Sequence, residues 1–556
     1  MTHKPPPLFL LLCLTLIAGL ACAQLAGPQP SSAHSDEGSH TYLPLTARGV
    51  QAPTPTATLP GPTSTPPGPT NTPAPTSPAT QPAPAHTYYV ATGGSDQNPG
   101  TFEKPWRTIQ KAADTVGPDS LVYVRGGIYR ERIILNVSGS TGKYITFQSY
   151  PGETAVIDAD GLAFSEAEPA LWFIYDQSYV IVKGFELRNY RTSTSGQVPF
   201  GIAIFGASHH IELRNNLIHH IEHNGSDPDN TDAHGIAVYG ESGTQAVHDI
   251  VIDGNELRNL KLGSSEALAI NGNVQAWQVT NNLVHDSNNI GIVAIGFENT
   301  APANDWARDG LIANNQVYNI DSNGNVAYGD SRSADCIYVD GARQITIERN
   351  LAHHCNIGIE VASEHEGGYA GQIVVRNNFV HSNTDVGISI GGYAANMGGA
   401  YDCTIVNNTF YNNTTHAEAW GSELYIQDDT QNLVIENNIF FADGDGSLLQ
   451  SWSDVMGGNR VDYNLFFVLD NAAGSWEWRG NWYETFAEYQ AQTGNDSHSL
   501  AGQDPRLVST AAPDLHLQSD SPAIERGTGS DAAGPVDFDG QPRRQNTIEI
   551  GADEVR

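Results

Sequence analysis

One phrase returns nine times along the chain: a short apolar-x-apolar strand, a turn, an asparagine, then a second short strand. It reads IELRNNLIH, VIDGNELR, QVTNNLVH, LIANNQVY, TIERNLAH, VVRNNFVH, TIVNNTFY, VIENNIFF and VDYNLFF. The marker asparagines are Asn216, Asn255, Asn282, Asn315, Asn350, Asn378, Asn408, Asn438 and Asn464, with gaps of 39, 27, 33, 35, 28, 30, 30 and 26. A loose period with variable loops marks a solenoid, in which each repeat buries its apolar face against its neighbours. The strands are short and carry no helical stripe, so the solenoid is built of β-strands. An asparagine at a fixed turn position can bond its amide to the one a coil later, at the ~4.8 Å strand spacing. A ladder of stacked markers in about ten or more coils is predicted.

Each coil adds another strand, often opening on Gly-Ile: HGIAVYG, ALAINGN, GIVAIGF, CIYVDGA, GIEVASE, GISIGGY. The order of Asn strand, turn and Gly-Ile strand resembles the secreted right-handed parallel β-helix proteins, over about residues 86–500. The opening YYVATGGSDQNPGTFEKPWRTIQKAAD is similar to an N-terminal segment of their bacterial members. The closing DPRLVSTAAPDLHLQSDSPAIERGTGSD resembles a C-terminal segment that often follows such helices. The resemblance implies an all-β, right-handed parallel β-helix over 86–502 with a capping segment at 503–556. Within the opening stretch, Ile109, Ala112, Ala113 and Val116 form the apolar stripe of a short helix. A helix there suits an end cap, because the first coil otherwise exposes its core.

Residues 1–23 have the form of a secretory leader: Lys4, an apolar run from Leu8 to Leu20, and Ala21-Cys22-Ala23 as a small-x-small cleavage site. Lipidation at Cys22 is the lesser expectation, because Gly19 stands where that signal wants an aliphatic residue. Residues 24–51 are an N-terminal segment, and 52–85 are a Pro/Thr/Ala/Ser spacer without an aromatic residue, semi-rigid and extended. A secreted or surface-displayed monomer without a membrane span is expected. With 27 Lys+Arg against 62 Asp+Glu, the formal charge of −35 argues against nucleic acid and anionic membranes as partners. Outside the leader only Cys336, Cys355 and Cys403 remain, too few for a disulfide scaffold and without metal-type spacing.

A β-helix has a packed interior, so chemistry belongs on an outward sheet face roofed by loops, a shape that suits a polysaccharide or oligosaccharide. The longest loops flank the Gly-Ile strands in the middle of the chain. They carry Glu298, Trp306 and Arg308 in GFENTAPANDWARDG, Arg332 in SNGNVAYGDSRSAD, and Tyr393 in GGYAANMGGAYD. Period-2 alternation turns Ile337, Val339, Ile359 and Val361 inward and Tyr338, Asp340 and Glu360 outward. Aligning ALAING, CIYVDG and GIEVAS puts Asn271 and Asp340 in one outward column, with Glu360 diagonal to Asp340. The Cα separation is then roughly 8 Å, and the carboxyl separation of ~5–9 Å spans the ranges for glycoside hydrolysis. Asp340 is expected as nucleophile or base, with Glu360 or Glu364 as acid and His365 as an orienting group. Asn271, Glu298, Trp306, Arg308, Arg332, Tyr338 and Tyr393 are the candidate substrate contacts. The phrases IYVDG and GIEVASEH resemble the two segments that hold the acidic pair in β-helix glycoside hydrolases of family 120, the β-xylosidases.

Outward acids on so acidic a chain are often plain solvated surface. No cofactor or metal centre is expected, although SDPDNTDAH has acidic spacing that suits calcium as well as it suits a turn. The aromatic residues three after the markers (His219, His285, Tyr318, His353, His381, Tyr411) are expected to stack as rings and not to ligate a metal. A polysaccharide lyase or uronate epimerase is the second reading, though the middle coils offer few basic residues. A non-catalytic carbohydrate-binding or adhesive β-helix is the third.

Overall fold

A computed structural model describes residues 84–555, except 396, 444–445, 470–473 and 544–546. The expected leader, Cys22, the segment 24–51 and nearly all of the spacer lie outside the described residues. Three long sheets, of 17, 13 and 13 strands, carry the domain. A typical coil runs through Val247–Asp253 in the first sheet, Glu256–Arg258 in the second and Leu268–Gly272 in the third, then returns to the first at Val274–Thr280. Each strand pairs in parallel with the equivalent strand one coil on. In the third sheet only the last strand, Asn481–Tyr483, runs antiparallel.

The asparagine ladder is continuous. Asn315 donates from its backbone N and its Nδ2 to Asn350 Oδ1, at 2.9 and 3.0 Å. Asn350 does the same to Asn378, and the pattern extends from Asn216 to Asn464. All nine markers are buried. The residue before each marker is left-handed, from Asn215 at φ 51° through Asn281, Asn314, Asn377, Asn407 and Asn437. Asparagine tolerates that conformation better than most residues, which accounts for the doubled Asn-Asn. Four of the six expected rings stack: His285, Tyr318, His353 and His381 lie 4.8–5.0 Å apart with interplanar angles of 2–9°, whereas His219 faces Arg258 one coil on and Tyr411 meets Phe441 edge-on.

The Gly-Ile signature has a steric cause. Both the Gly position and the Ile after it face the core, so alternation breaks between them. A Cβ on Gly201 would meet Gly235 O at 2.5 Å, and one on Gly358 would meet Val380 Cγ1 at 2.3 Å. In the coil of Asp335–Asp340 this position is Cys336, buried and disulfide-bonded to Cys355 at the end of Leu351–Cys355. Cys403 is buried and free. The bridge closes a 19-residue separation. Replacing both Cys336 and Cys355 with alanine is expected to lower stability by ~3 kcal/mol through lost loop constraint, read as the denaturant midpoint. An unchanged midpoint would show that packing alone fixes this corner.

The N-terminal end is closed by the helix Ile109–Ala113, with Ile109, Ala112 and Ala113 turned into the core. Thr108 caps it, and both Glu131 carboxylate oxygens accept from its first N–H groups. The other end is covered by the helix Phe486–Thr493, whose Tyr489 is fully buried and whose Phe486 packs on Phe466 and Trp476. The 503–555 segment, expected as a cap, covers the flank instead. Leu507, Leu515, Leu517 and Ile550 pack on Phe379, Tyr411, Phe441 and Phe467, which point out of the second sheet. Asn377, Asn407 and Asn437, freed by their left-handed backbones to point outward, donate to carbonyls of Ala533, Glu549 and Thr528. Buried Arg543, paired with Glu554 at 3.0 Å within the segment, donates to Asn377 Oδ1 at 2.8 Å and completes the attachment. The sheet needs this cover because its outward residues there are aromatic.

Candidate active site

The third sheet carries three outward columns along the helix axis. One runs Tyr239, Asn271, Ile295, then Asp340 beside Ala362 on the following coil. The next runs Ala269, Val293, Tyr338, Glu360, Ser389, Tyr425. The third holds Phe200, His234 and, further on, Asp335, followed by Ile357 and Val386. The strand Leu268–Gly272 does not adjoin Asp335–Asp340, as the alignment of ALAING with CIYVDG implied. The strand Ile292–Ile295 lies between them, so Asn271 stands two coils from Asp340. Ala269, Ile290, Val293, Ile295, Tyr338 and Ala362 form an apolar cluster outside the main core. The outward face is thus a dry floor under loops, and its acids are desolvated.

On that floor Asp340 is only 5% exposed. Its Oδ1 accepts from the Glu364 N–H at 2.8 Å, and His365 Nε2 stands 3.8 Å from its Oδ2. Burial, followed by the Glu364 and Glu298 carboxylates, pushes Asp340 well above the usual carboxylate range. Glu364 is exposed at the cleft mouth. Desolvation of its carboxyl group raises it, and the Tyr338 hydroxyl, 3.5 Å away, holds it down. Glu298 accepts from Asn271 Nδ2 at 2.6 Å, and Thr300 Oγ1 donates to Asn271 Oδ1. Tyr393 lies near the same group: burial, then the charges of Glu364, Asp340 and Glu360, raise its phenol to about 12.

Asp335, Glu266 and Ser389 were not singled out in the sequence. Asp335, 1% exposed, shares a hydrogen bond with Glu360, and burial and that neighbour push it well up. Glu360 also accepts from Ser389 Oγ at 3.0 Å. Burial and then Glu364 lift Glu360 to about 7, while Ser389 and Asp335 pull it back. Glu266 adds a further raised carboxyl beside His234. The leading influences on Asp335, Asp340, Glu360, Glu364, Glu298 and Glu266 include no arginine or lysine.

Three expected contacts face elsewhere. The Arg308 guanidinium donates to Asn273 and Gln275 at 2.9 and 2.8 Å. Trp306 packs on Arg343, which also stacks on Tyr369, so it braces a loop root. Arg332 acts on Asp385, outside the carboxyl group. Glu298, Asp340 and His365 bring ligand atoms within 4.8 Å of one another, a set with the donors for one divalent cation.

The raised Glu360 links stability to pH. Unfolded glutamate titrates near ~4.3, so the folded state holds this proton more tightly. Stability from this group is then greatest below about pH 4 and is lost as pH rises towards about 7, by up to ~3 kcal/mol. Glu360→Gln is expected to raise the melting temperature at pH 7 and leave it unchanged at pH 4. A gap between the two proteins that does not widen with pH would refute the assignment.

Right-handed β-helix models match two stretches: a Pel9A-like right-handed β-helix region over residues 88–246 and a right-handed β-helix region over 200–410. The GH136 lacto-N-biosidase structure from Eubacterium ramulus is similar at TM-score 0.46 and 13% identity, over 75% of this chain and 68% of that one. Pectate lyase PEL9 of Emericella nidulans is 29% identical over 143 residues, 23% of this chain and only 33% of that protein. The uncharacterised protein YwoF of Bacillus subtilis is 39% identical over 435 residues, 78% of this chain and 91% of that protein. The continuous ladder, the three parallel sheets and this last match together show that the chain belongs to the right-handed parallel β-helix family that includes YwoF.

Proposed function

We propose that the protein is a carbohydrate-active enzyme, and specifically a glycoside hydrolase acting in the cleft over Asp340. The observation that carries this is a pair of carboxyls in opposite surroundings. Asp340 is buried, and burial and the neighbouring carboxylates push it well above the usual carboxylate range, while Glu364, on the following coil, has exposed surface. Glycoside cleavage needs this division: one carboxyl gives a proton to the leaving oxygen, and the other attacks the anomeric carbon or activates water. The roles are reversed from the sequence expectation, in which Asp340 was the base, because burial favours its neutral form. Glu360 and Asp335, sharing one proton, hold the floor beside them. A cleft lined by carboxyls and without a cation suits a neutral glycan better than a uronate, whose own carboxylate would be repelled.

One observation favours the lyase reading: a cation held by Glu298, Asp340 and His365 would neutralise a uronate, and the partial match is to a protein named as a pectate lyase. The leader-like 1–23, the spacer and the Cys336–Cys355 bridge support action outside the reducing cytosol. The test is to incubate the full chain with neutral and uronate glycans, with and without a chelator. The hydrolase reading expects new reducing ends, no ultraviolet absorbance from unsaturated products, and indifference to chelation. Absorbance that the chelator abolishes would establish the lyase, and binding without turnover would establish a carbohydrate-binding β-helix.

A further inference from the structure

On the first sheet, away from the cleft, His209 and His210 open the strand His209–Arg214, and His248 and Asp249 lie in the next coil's strand Val247–Asp253. In a regular strand His209 and His210 would point to opposite faces. They do not, because His210 is left-handed at φ 53°, as is Asp249 at φ 55°. This bulge turns both members of each pair outward. His209 Nδ1 lies 2.9 Å from His210 Nδ1. His209 and His248, register partners, stack at 4.8 Å and 2°. Asp249 Oδ2 stands 2.6 Å from His248 Nδ1 and 3.6 Å from His210 Nδ1. One ring nitrogen from each of the three histidines falls within 4.8 Å of the others. All three are partly exposed, so an ion has access.

We infer that His209, His210, His248 and Asp249 form a binding site for a divalent transition-metal ion, of the zinc, nickel or copper(II) class. Three imidazoles and one carboxylate suit those ions, whereas calcium and magnesium want oxygen donors. The metal takes the place of the proton that the close His209–His210 nitrogens must share. Two similar His-His bulges make the contrast. His219 and His220 meet Arg258 and Asn259 one coil on, and His353 and His354 meet His381 and Ser382. Neither has a carboxylate at the place of Asp249. The ion would staple two coils whose markers are 39 residues apart, the widest step in the ladder.

The experiment uses the tag-free full chain, titrated calorimetrically with zinc chloride and, in parallel, copper(II) followed by electron paramagnetic resonance. One equivalent should bind, with nitrogen hyperfine structure on copper and a metal-dependent rise in melting temperature. His209→Gln and His248→Gln should each weaken binding more than about 10-fold and remove that rise, while leaving the metal-free melting temperature unchanged. His353→Gln should bind like the parent. Absence of saturable binding, equal binding by the His209→Gln/His248→Gln double variant, or loss on His353→Gln would each overturn the proposal.

Discussion

Asp340→Asn is expected to cut turnover of an unactivated glycan by about 10²–10⁴-fold, the usual range for loss of a positioned general acid, while folding is untouched. The fold should tolerate the change because burial and the neighbouring carboxylates already push Asp340 well above the usual carboxylate range, towards its neutral form. An amide of the same size replaces one uncharged group with another and still accepts from the Glu364 N–H. The loss should shrink on aryl glycosides with good leaving groups, which depart without a proton. Glu364→Gln should instead suppress both substrate types, because attack or water activation is needed in each. The readout is kcat/KM for both variants on the two substrate types, with melting curves alongside. If Asp340→Asn impairs both types equally and Glu364→Gln spares the activated one, the two roles are exchanged. If neither changes turnover of a proven substrate, the catalytic centre lies elsewhere.

Asn350→Ala should destabilise the protein by about 2–4 kcal/mol. Asn350 Oδ1 accepts from both the backbone N and the Nδ2 of Asn315, and its own Nδ2 donates to Ile312 O and Asn378 Oδ1. Alanine leaves the Asn315 backbone N–H buried without that acceptor and removes a donor from two oxygens. Each buried unsatisfied group costs ~1–3 kcal/mol, and no water reaches the column, since Asn350 has no exposed surface. Chemical denaturation of the variant against the parent gives the difference. Equal midpoints for Asn350→Ala and the parent would mean the ladder is redundant.

The repeat was legible because a marker asparagine does one chemical task that few residues share, and its spacing survives changes in loop length. The placement of Asp340 and Glu360 was legible for a similar reason, since strict alternation from Val339 and Val361 fixes their face. Asp335 was hidden by the break at the Gly-Ile position. Counting back by two from Ile337 turns Asp335 inward, whereas Cys336 and Ile337 both face the core and return Asp335 to the cleft. The coil of Ile292–Ile295 was skipped because its outward residues, Val293 and Ile295, carry no polar marker that distinguishes cleft floor from core. The division of roles proposed for Asp340 and Glu364 was not readable from spacing, because it depends on the loops around each carboxyl. Trp306 and Arg308 carried the right chemistry for a sugar, but their partners on the first sheet, Arg343 for one and Gln275 for the other, hold them elsewhere.

The segment that lies along the flank gives this molecule a different kind of unity from a simple stack. In a stack each coil touches only the coils above and below, so either end can peel away without disturbing the middle. Here Asn377, Asn407 and Asn437, on three successive coils, are all fastened to residues 528–551. Sequence separations of 91 to 159 residues close in this way. Contacts that distant form late in folding, so the coils must already stand in order before the last-synthesised stretch can lace them together. Once laced, those coils rise and fall as a single cooperative block. A chain ending near residue 502 would keep every coil and yet lose that concerted behaviour, melting gradually from its C-terminal end.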